Sequence, residues 1–183
     1  MIEQRLTDLR ERVAAAALRS GRRPEDITLV AVSKTKPAAD ILAAYQAGQR
    51  HFGESYVQEF EQKSRELTNL PGAVFHFIGK LQSNKAKLAA KLFQVIQTVD
   101  SEKIARRLND AGQPLDVFLE VKISPEEAKG GAPEEQLPEL KRYIESCDNL
   151  RLRGYLTCAP RPLPRATALR SSRTPSGSRS PRR

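Results

Sequence analysis

Six short apolar segments, five of them followed by a helix-like segment, do most to limit the fold of this 183-residue chain. The strand-like segments read "DITLVAVSK", "RHFGES", "VFHFIG", "VIQTVD", "DVFLEVKIS" and "LRLRGYLTCAP". The segments between them place apolar residues at helical spacing. Because parallel neighbours in a sheet need crossover connections, this alternation predicts an α/β protein with a parallel sheet wrapped by helices.

The first connection decides between two architectures of this class. An open doubly wound sheet that binds nucleotides normally carries a glycine-rich turn after its first strand, and "SKTKP" contains no glycine. The sequence therefore favours a TIM-type (β/α) barrel. Six strand-like segments are two short of the usual eight, so we expect an incomplete barrel whose first strand is buried on both faces.

The formal net charge of +9 is concentrated at the end of the chain. Seven of the 31 basic residues lie in 161–183, which has no acidic residue, and the remaining 24 are nearly balanced by 22 acidic ones. We therefore divide the chain into a barrel domain, 1–160, and a basic Pro/Ser/Arg-rich tail, 161–183. The tail is too poor in large apolar residues to order itself and is predicted to be disordered. Nucleic-acid binding through the tail is the less favoured alternative.

Cysteine usage and hydropathy limit the setting of the protein. Cys147 and Cys158 form no Cys-x-x-Cys pair, and no signal-type apolar segment lies near the N-terminus. No apolar run approaches the roughly 20 residues that span a bilayer. We expect no disulfide framework, no zinc site, no membrane insertion and a cytoplasmic location.

Polar residues cluster where the predicted strands end, which is where barrels of this type keep their chemistry. In the first strand, side-chain alternation places Val30, Val32 and Lys34 on one face. If that face is the interior, Lys34 projects into the barrel mouth, where desolvation favours the neutral amine that forms Schiff bases with aldehydes. The plainer alternative is a solvated lysine at a strand boundary. The other predicted strand ends are Gly53–Ser55, His76–Gly79, Thr98–Asp100, Lys122–Ser124 and Thr157–Pro160.

Two further features admit both a functional and a structural interpretation. His76 lies between Phe75 and Phe77, which is typical of a histidine satisfied within a core or at its rim, and less often of a base. In "SNKAK", Ser83 or Asn84 is expected to cap a helix, with a phosphate-binding role as the alternative.

Taken together, the motifs resemble those of the pyridoxal phosphate homeostasis proteins, single-domain relatives of the alanine racemase barrel. The resemblance rests on "ITLVAVSKTKP", "AGQRHFGESYVQEF", "HFIGKLQSNKAK", "QTVDSEKIARRLN" and "LRLRGYL", in this order and at these separations. It extends from the N-terminus to about Pro160. Beyond that point the family continues with further βα units and phosphate-binding segments, which the tail does not match. We interpret the tail as the product of a shifted or misannotated reading frame.

The resemblance implies a cofactor, a site and a function. Lys34 matches the lysine that holds pyridoxal 5'-phosphate (PLP) as a Schiff base, and Lys36 matches the second lysine of that motif. Ser55 stands where the family usually has asparagine, and Ser55 and His76 are further candidate cofactor contacts. The implied function is PLP binding in vitamin B6 homeostasis without turnover, with apo-forms of PLP enzymes as possible partners. The alternative is a PLP-dependent amino-acid racemase or lyase.

Overall fold

A six-stranded sheet forms the centre of the part of the chain that the structure describes, and all of its strands are parallel. The computed structural model describes residues 1–123 and 130–158. The strands pair in chain order, which confirms the predicted α/β barrel topology with about six strands. They are β1 (Val30–Val32), β2 (His51–Glu54), β3 (Val74–Phe77), β4 (Val95–Val99), β5 (Leu115–Val121) and β6 (Leu150–Thr157).

Among the described residues, five α-helices connect successive strands, and one more precedes β1. The opening helix ends before Gly21, whose φ of 70° suits glycine at a helix end. The helix that follows β3 begins after a 3-10 turn, Ser83–Lys85. No side chain caps this helix, so the predicted cap at Ser83 or Asn84 is wrong. The helices are α1 (Ile2–Arg19), α2 (Ala38–Gln46), α3 (Val57–Ser64), α4 (Ala86–Leu92), α5 (Glu102–Asn109) and α6 (Leu137–Glu145).

The helices cover one face of the sheet and build the core against it. Five phenylalanines from β2, β3, α3 and the end of α4 stack there, with neighbouring ring centroids 4.7–5.6 Å apart. Such aromatic pairs stabilise a core beyond the area they bury. The five are Phe52, Phe60, Phe75, Phe77 and Phe93.

The opposite face of the sheet, here called the inner face, corresponds to the lining of a barrel. The sheet does not close on itself, because β1 and β6 do not pair with each other in the described part of the chain. Val32 is consequently 54% exposed, so the expectation that the first strand is buried on both faces is wrong. The inner face includes Val30, Val32, His51, Gly53, His76, Gln97 and Asp116.

Two sequence-based expectations concern regions that the fold does not test. The predicted disordered tail, 161–183, and the last residues of the 1–160 domain lie outside the described residues.

Within the described residues, no helix is both long and apolar enough to cross a membrane.

Candidate functional site

Lys34 lies in a tight turn at the carboxyl end of β1, two residues beyond the last strand residue. The Lys36 amide donates to the Ser33 carbonyl oxygen at 3.1 Å, which closes a four-residue turn with Lys34 and Thr35 at its centre. Thr35 has a φ of 62°, a value typical of the third residue of a type II turn. Lys34 is exposed. Lys34, the cation predicted at the barrel mouth, therefore lies in a turn in which Thr35 has a left-handed backbone conformation.

Left-handed backbone is costly for Thr35 because its side chain is β-branched. Type II turns favour glycine or asparagine at this position, and a non-glycine residue held there costs on the order of 1–3 kcal/mol. Such strain persists only where surrounding contacts fix the backbone.

A buried ion pair beneath this turn supplies such contacts. Glu54, at the end of β2, is 0% exposed and accepts a hydrogen bond from Ser33 Oγ at 2.8 Å. Lys63, in α3, donates to Glu54 Oε1 and to the Ser33 carbonyl oxygen, both at 3.0 Å. The Lys63 side chain is 10% exposed. The turn is thus bound to β2 and α3 through the residue that precedes Lys34.

Glu59 connects the same network to the strained residue. Its Oε1 accepts the Thr35 amide proton at 2.7 Å and lies 2.6 Å from Lys63 Nζ. Burial opposes ionisation of Glu59, but its hydrogen bonds with Lys63 and the Thr35 amide and the Lys63 charge outweigh burial, so its pKa lies below the ordinary value. Glu59 is therefore a carboxylate at neutral pH.

Glu59 and Lys63 were not among the residues predicted from the sequence, and Glu54 was predicted among the polar residues of the mouth. Glu54 instead lies on the helix-covered face, as alternation with Gly53 requires. Two signals were available in the sequence. Lys63 follows Phe60 by three residues on the buried stripe of α3, and Glu59 precedes Lys63 by four, the spacing of a helical ion pair.

Ser55, the second predicted site residue, follows β2 and lies against the end of β3. A Cβ added to Gly79 would come within 2.2 Å of the Ser55 carbonyl oxygen, so these two backbones touch. A cleft of about 680 Å³ opens beside them, lined by residues of the loops after β2 and β3 and of the first turn of α3, including Tyr56, Gln58 and Lys80. Ser55 lines this cleft, and Lys34 does not.

Charged groups from two further strand ends lie at the same end of the sheet. Burial raises the pKa of Glu120, and the Asp100 charge acts in the same direction while Lys80 opposes it. Lys80 follows β3, Asp100 follows β4 and Glu120 lies near the end of β5. Burial and charges from two neighbouring strand ends thus act together on Glu120.

His76, the third predicted site residue, lies within β3 on the inner face and is 6% exposed. Gln97 Nε2 donates to its Nδ1 at 3.0 Å, so His76 carries its proton on Nε2 and donates it to His51 Nδ1 at 2.9 Å. Both ring nitrogens are engaged by protein groups, which favours the satisfied core histidine over a cofactor contact. Burial and, secondarily, the charge of His51 lower the pKa of His76 to about 4, although Asp116 opposes this.

We expect this histidine pair to make the protein less stable in mild acid. Burial also lowers the pKa of His51. Between pH ~6.5 and ~4 the unfolded chain binds more protons than the folded chain, so the free energy of unfolding decreases as the pH falls through this window. The titration of His76 should lower the free energy of unfolding by about 1–2 kcal/mol between pH ~7 and ~5. Urea unfolding at the two pH values measures this change. His76→Gln should flatten this dependence, and an equal slope in both proteins would contradict the assignment.

Comparison with known proteins identifies the family of this chain. Residues 5–166 match the family model for the alanine racemase N-terminal domain. The pyridoxal phosphate homeostasis protein of Escherichia coli (strain K12) is 47% identical over 161 residues, covering 85% of this chain and 69% of that protein. The protein of the same name from Pseudomonas aeruginosa is 43% identical over 175 residues, covering 93% of this chain and 74% of that protein. PipY from Synechococcus elongatus, whose structure was solved with PLP bound, is 40% identical in sequence. The two structures match with a TM-score of 0.74, and the match covers 89% of this chain and 73% of PipY.

Proposed function

Because this chain belongs to the pyridoxal phosphate homeostasis proteins of the alanine racemase N-terminal domain family, we propose that it binds PLP on Lys34 and acts in vitamin B6 homeostasis. The observation that carries the proposal is the position of Lys34. It is an exposed amine at the carboxyl end of β1, in a turn held in a strained conformation. Strained backbone of this kind concentrates at functional sites.

The residues at this end of the sheet fit the chemistry of the cofactor. PLP is an anionic aldehyde, and the exposed amines of Lys34 and Lys80 provide a nucleophile and positive charge. When bound, PLP supplies the aldehyde carbon and Lys34 supplies the nitrogen of a C=N bond, with one water released. We propose Ser55, which lines the cleft beside the ends of β2 and β3, as a further contact.

We expect the affinity for PLP to be modest. The inner face is open beside β1, as the exposure of Val32 shows, so water reaches the turn that carries Lys34. Water allows the C=N bond to hydrolyse, which lowers the affinity. Groups that hold the phosphate and shield the amine would strengthen binding.

We propose a carrier role without turnover, in the cytoplasm, with apo-forms of PLP enzymes as recipients. A racemase needs a second base on the opposite face of the cofactor. Such a base is commonly a tyrosine from another domain or subunit. His76, the residue for which a base role was considered in the sequence, has both ring nitrogens engaged by His51 and Gln97. The purified protein with PLP should therefore leave the enantiomers of alanine and serine unchanged, and interconversion of either pair would favour the racemase alternative.

The decisive experiment is titration with PLP near neutral pH, followed by borohydride reduction and peptide mapping. The visible absorbance of the Schiff base should be weak but detectable, and the reduced cofactor should map to Lys34. Lys34→Ala should abolish both signals, because no other amine occupies this position of the turn. Lys36→Ala is the matched control and should have little effect. Reduction mainly at Lys36, or an unchanged signal in Lys34→Ala, would overturn the assignment.

A further inference from the structure

The network formed by Glu54, Glu59 and Lys63 contacts the Ser33–Lys36 turn on both sides of Lys34. Lys63 Nζ donates to the Ser33 carbonyl oxygen, immediately before Lys34. Glu59 Oε1 accepts the amide proton of Thr35, immediately after Lys34. The backbone that carries the amine is therefore held at both of its neighbours.

From this arrangement we infer that Glu59 is a positioning residue that selects Lys34 over Lys36 as the amine that reaches the cofactor. The inference rests on the proposed function. Both lysines are exposed and lie two residues apart, so exposure alone does not distinguish them. The distinction comes from the left-handed conformation of Thr35, which separates them and sets the direction of the chain between them.

Glu59 is the member of the network best suited to this role. The Thr35 conformation is costly, so it needs a compensating contact, and the amide of Thr35 donates to Glu59 at 2.7 Å. A hydrogen bond from a backbone amide to a carboxylate is stronger than one between neutral groups. Lys63, 2.6 Å from the same oxygen, holds the carboxylate in place and is itself fixed by Glu54.

The network also explains why a buried ion pair lies on the helix-covered face of the sheet. Buried ion pairs contribute little net stability compared with apolar packing of the same volume. The Glu54–Lys63 pair lies in a core otherwise built from aromatic and aliphatic residues. Its contacts extend to the turn, which gives the pair a role in fixing a conformation.

The test compares Glu59→Met with Glu66→Met, a matched control in which an exposed glutamate just after α3 is replaced. Glu59 is 29% exposed, so its replacement is expected to leave the protein folded. In Glu59→Met the PLP affinity should fall about tenfold, and the share of borohydride-trapped cofactor on Lys36 should rise relative to Lys34. Wild type and Glu66→Met should be trapped almost entirely at Lys34.

The ratio of the two trapped lysines separates positioning from a general loss of structure. A merely structural role for Glu59 would lower affinity without redirecting the cofactor from Lys34 to Lys36. A conservative variant, Glu59→Gln, keeps an acceptor for the Thr35 amide and should restore selectivity for Lys34. If Glu59→Gln behaves like Glu59→Met, the hydrogen bond to Thr35 is not the determinant and the inference is wrong.

A measurement without cofactor keeps this inference separate from the proposed function. Amide hydrogen exchange at Thr35 should be faster in Glu59→Met than in wild type or Glu66→Met. If wild type traps PLP at neither lysine, the proposed function fails, while the Thr35 exchange rate still decides whether Glu59 holds the turn. If wild type traps at Lys34 and Glu59→Met does the same with equal affinity, the proposed function stands and the inference is overturned.

Discussion

Lys63→Met is expected to lower the free energy of unfolding by about 3–5 kcal/mol, the usual loss when one partner of a buried ion pair is removed. The substitution keeps most of the aliphatic stem of Lys63, so packing changes little. It leaves the Glu54 carboxylate, which is 0% exposed, without its cation. It also removes the donor to the Ser33 carbonyl oxygen. Urea or guanidinium unfolding near neutral pH measures the change.

A double variant shows whether the loss arises from the uncompensated charge. In Glu54→Gln/Lys63→Met the buried group is neutral, and the glutamine oxygen can still accept from Ser33 Oγ. We expect the double variant to lie within about 1–2 kcal/mol of wild type, because neutral replacements of a buried pair are often well tolerated. A double variant as unstable as Lys63→Met would show that the charge of Glu54 is not the cause.

Gly79→Ala is expected to destabilise the protein by about 3 kcal/mol or more, at the upper end of the range for overpacking. The added Cβ would lie 2.2 Å from the Ser55 carbonyl oxygen and 2.8 Å from Ser55 Cα. Both are backbone atoms, so the carboxyl ends of β2 and β3 must separate. The Gly79 carbonyl oxygen also accepts the Thr98 hydroxyl at 2.6 Å, which resists movement from the other side. Because Ser55 borders the candidate site, PLP binding should weaken as well.

The matched control for this prediction is Gly53→Ala, on the neighbouring strand. A Cβ at Gly53 would meet only side-chain atoms, Ile78 Cδ1 at 3.0 Å and Val30 Cγ1 at 3.2 Å. Side chains on the open inner face can move, so the loss should be about 1 kcal/mol. Equal losses in the two variants, measured by thermal or urea unfolding, would show that backbone contact at Gly79 is not what excludes a side chain.

The strand order and the place of Lys34 were predictable because they depend on local patterns. Apolar runs of strand length separated by helical spacing specify parallel strands joined by crossover helices, and successive parallel strands pair in chain order. A residue just after the first strand is then at the carboxyl end of the sheet wherever the helices lie. Lys34 could be assigned to that end before its surroundings were known.

The burial of β1 was predicted wrongly because composition does not show whether a barrel closes. The run of aliphatic residues around Ala31 is typical of a strand covered on both sides. In the described chain the sheet ends at β1 and β6, and Val32, on the inner face of β1, is 54% exposed. Burial of an inner face depends on strands across the barrel, and no local pattern encodes them.

The sequence by itself thus determined a parallel α/β sheet with Lys34 at its carboxyl end, because both follow from residue spacing over a few turns of chain. The choice of Lys34 as the candidate site came from the resemblance of the motifs to a known family. Only the tertiary structure decided how that lysine is held. The residue type of Thr35 does not predict its left-handed backbone conformation. The contact of Thr35 with Glu59 joins positions 24 apart in the chain. The contact of Lys63 with Ser33 joins positions 30 apart. Such contacts exist only after β2 pairs with β1 and α3 packs across both, because that packing alone brings a helix side chain to a backbone turn.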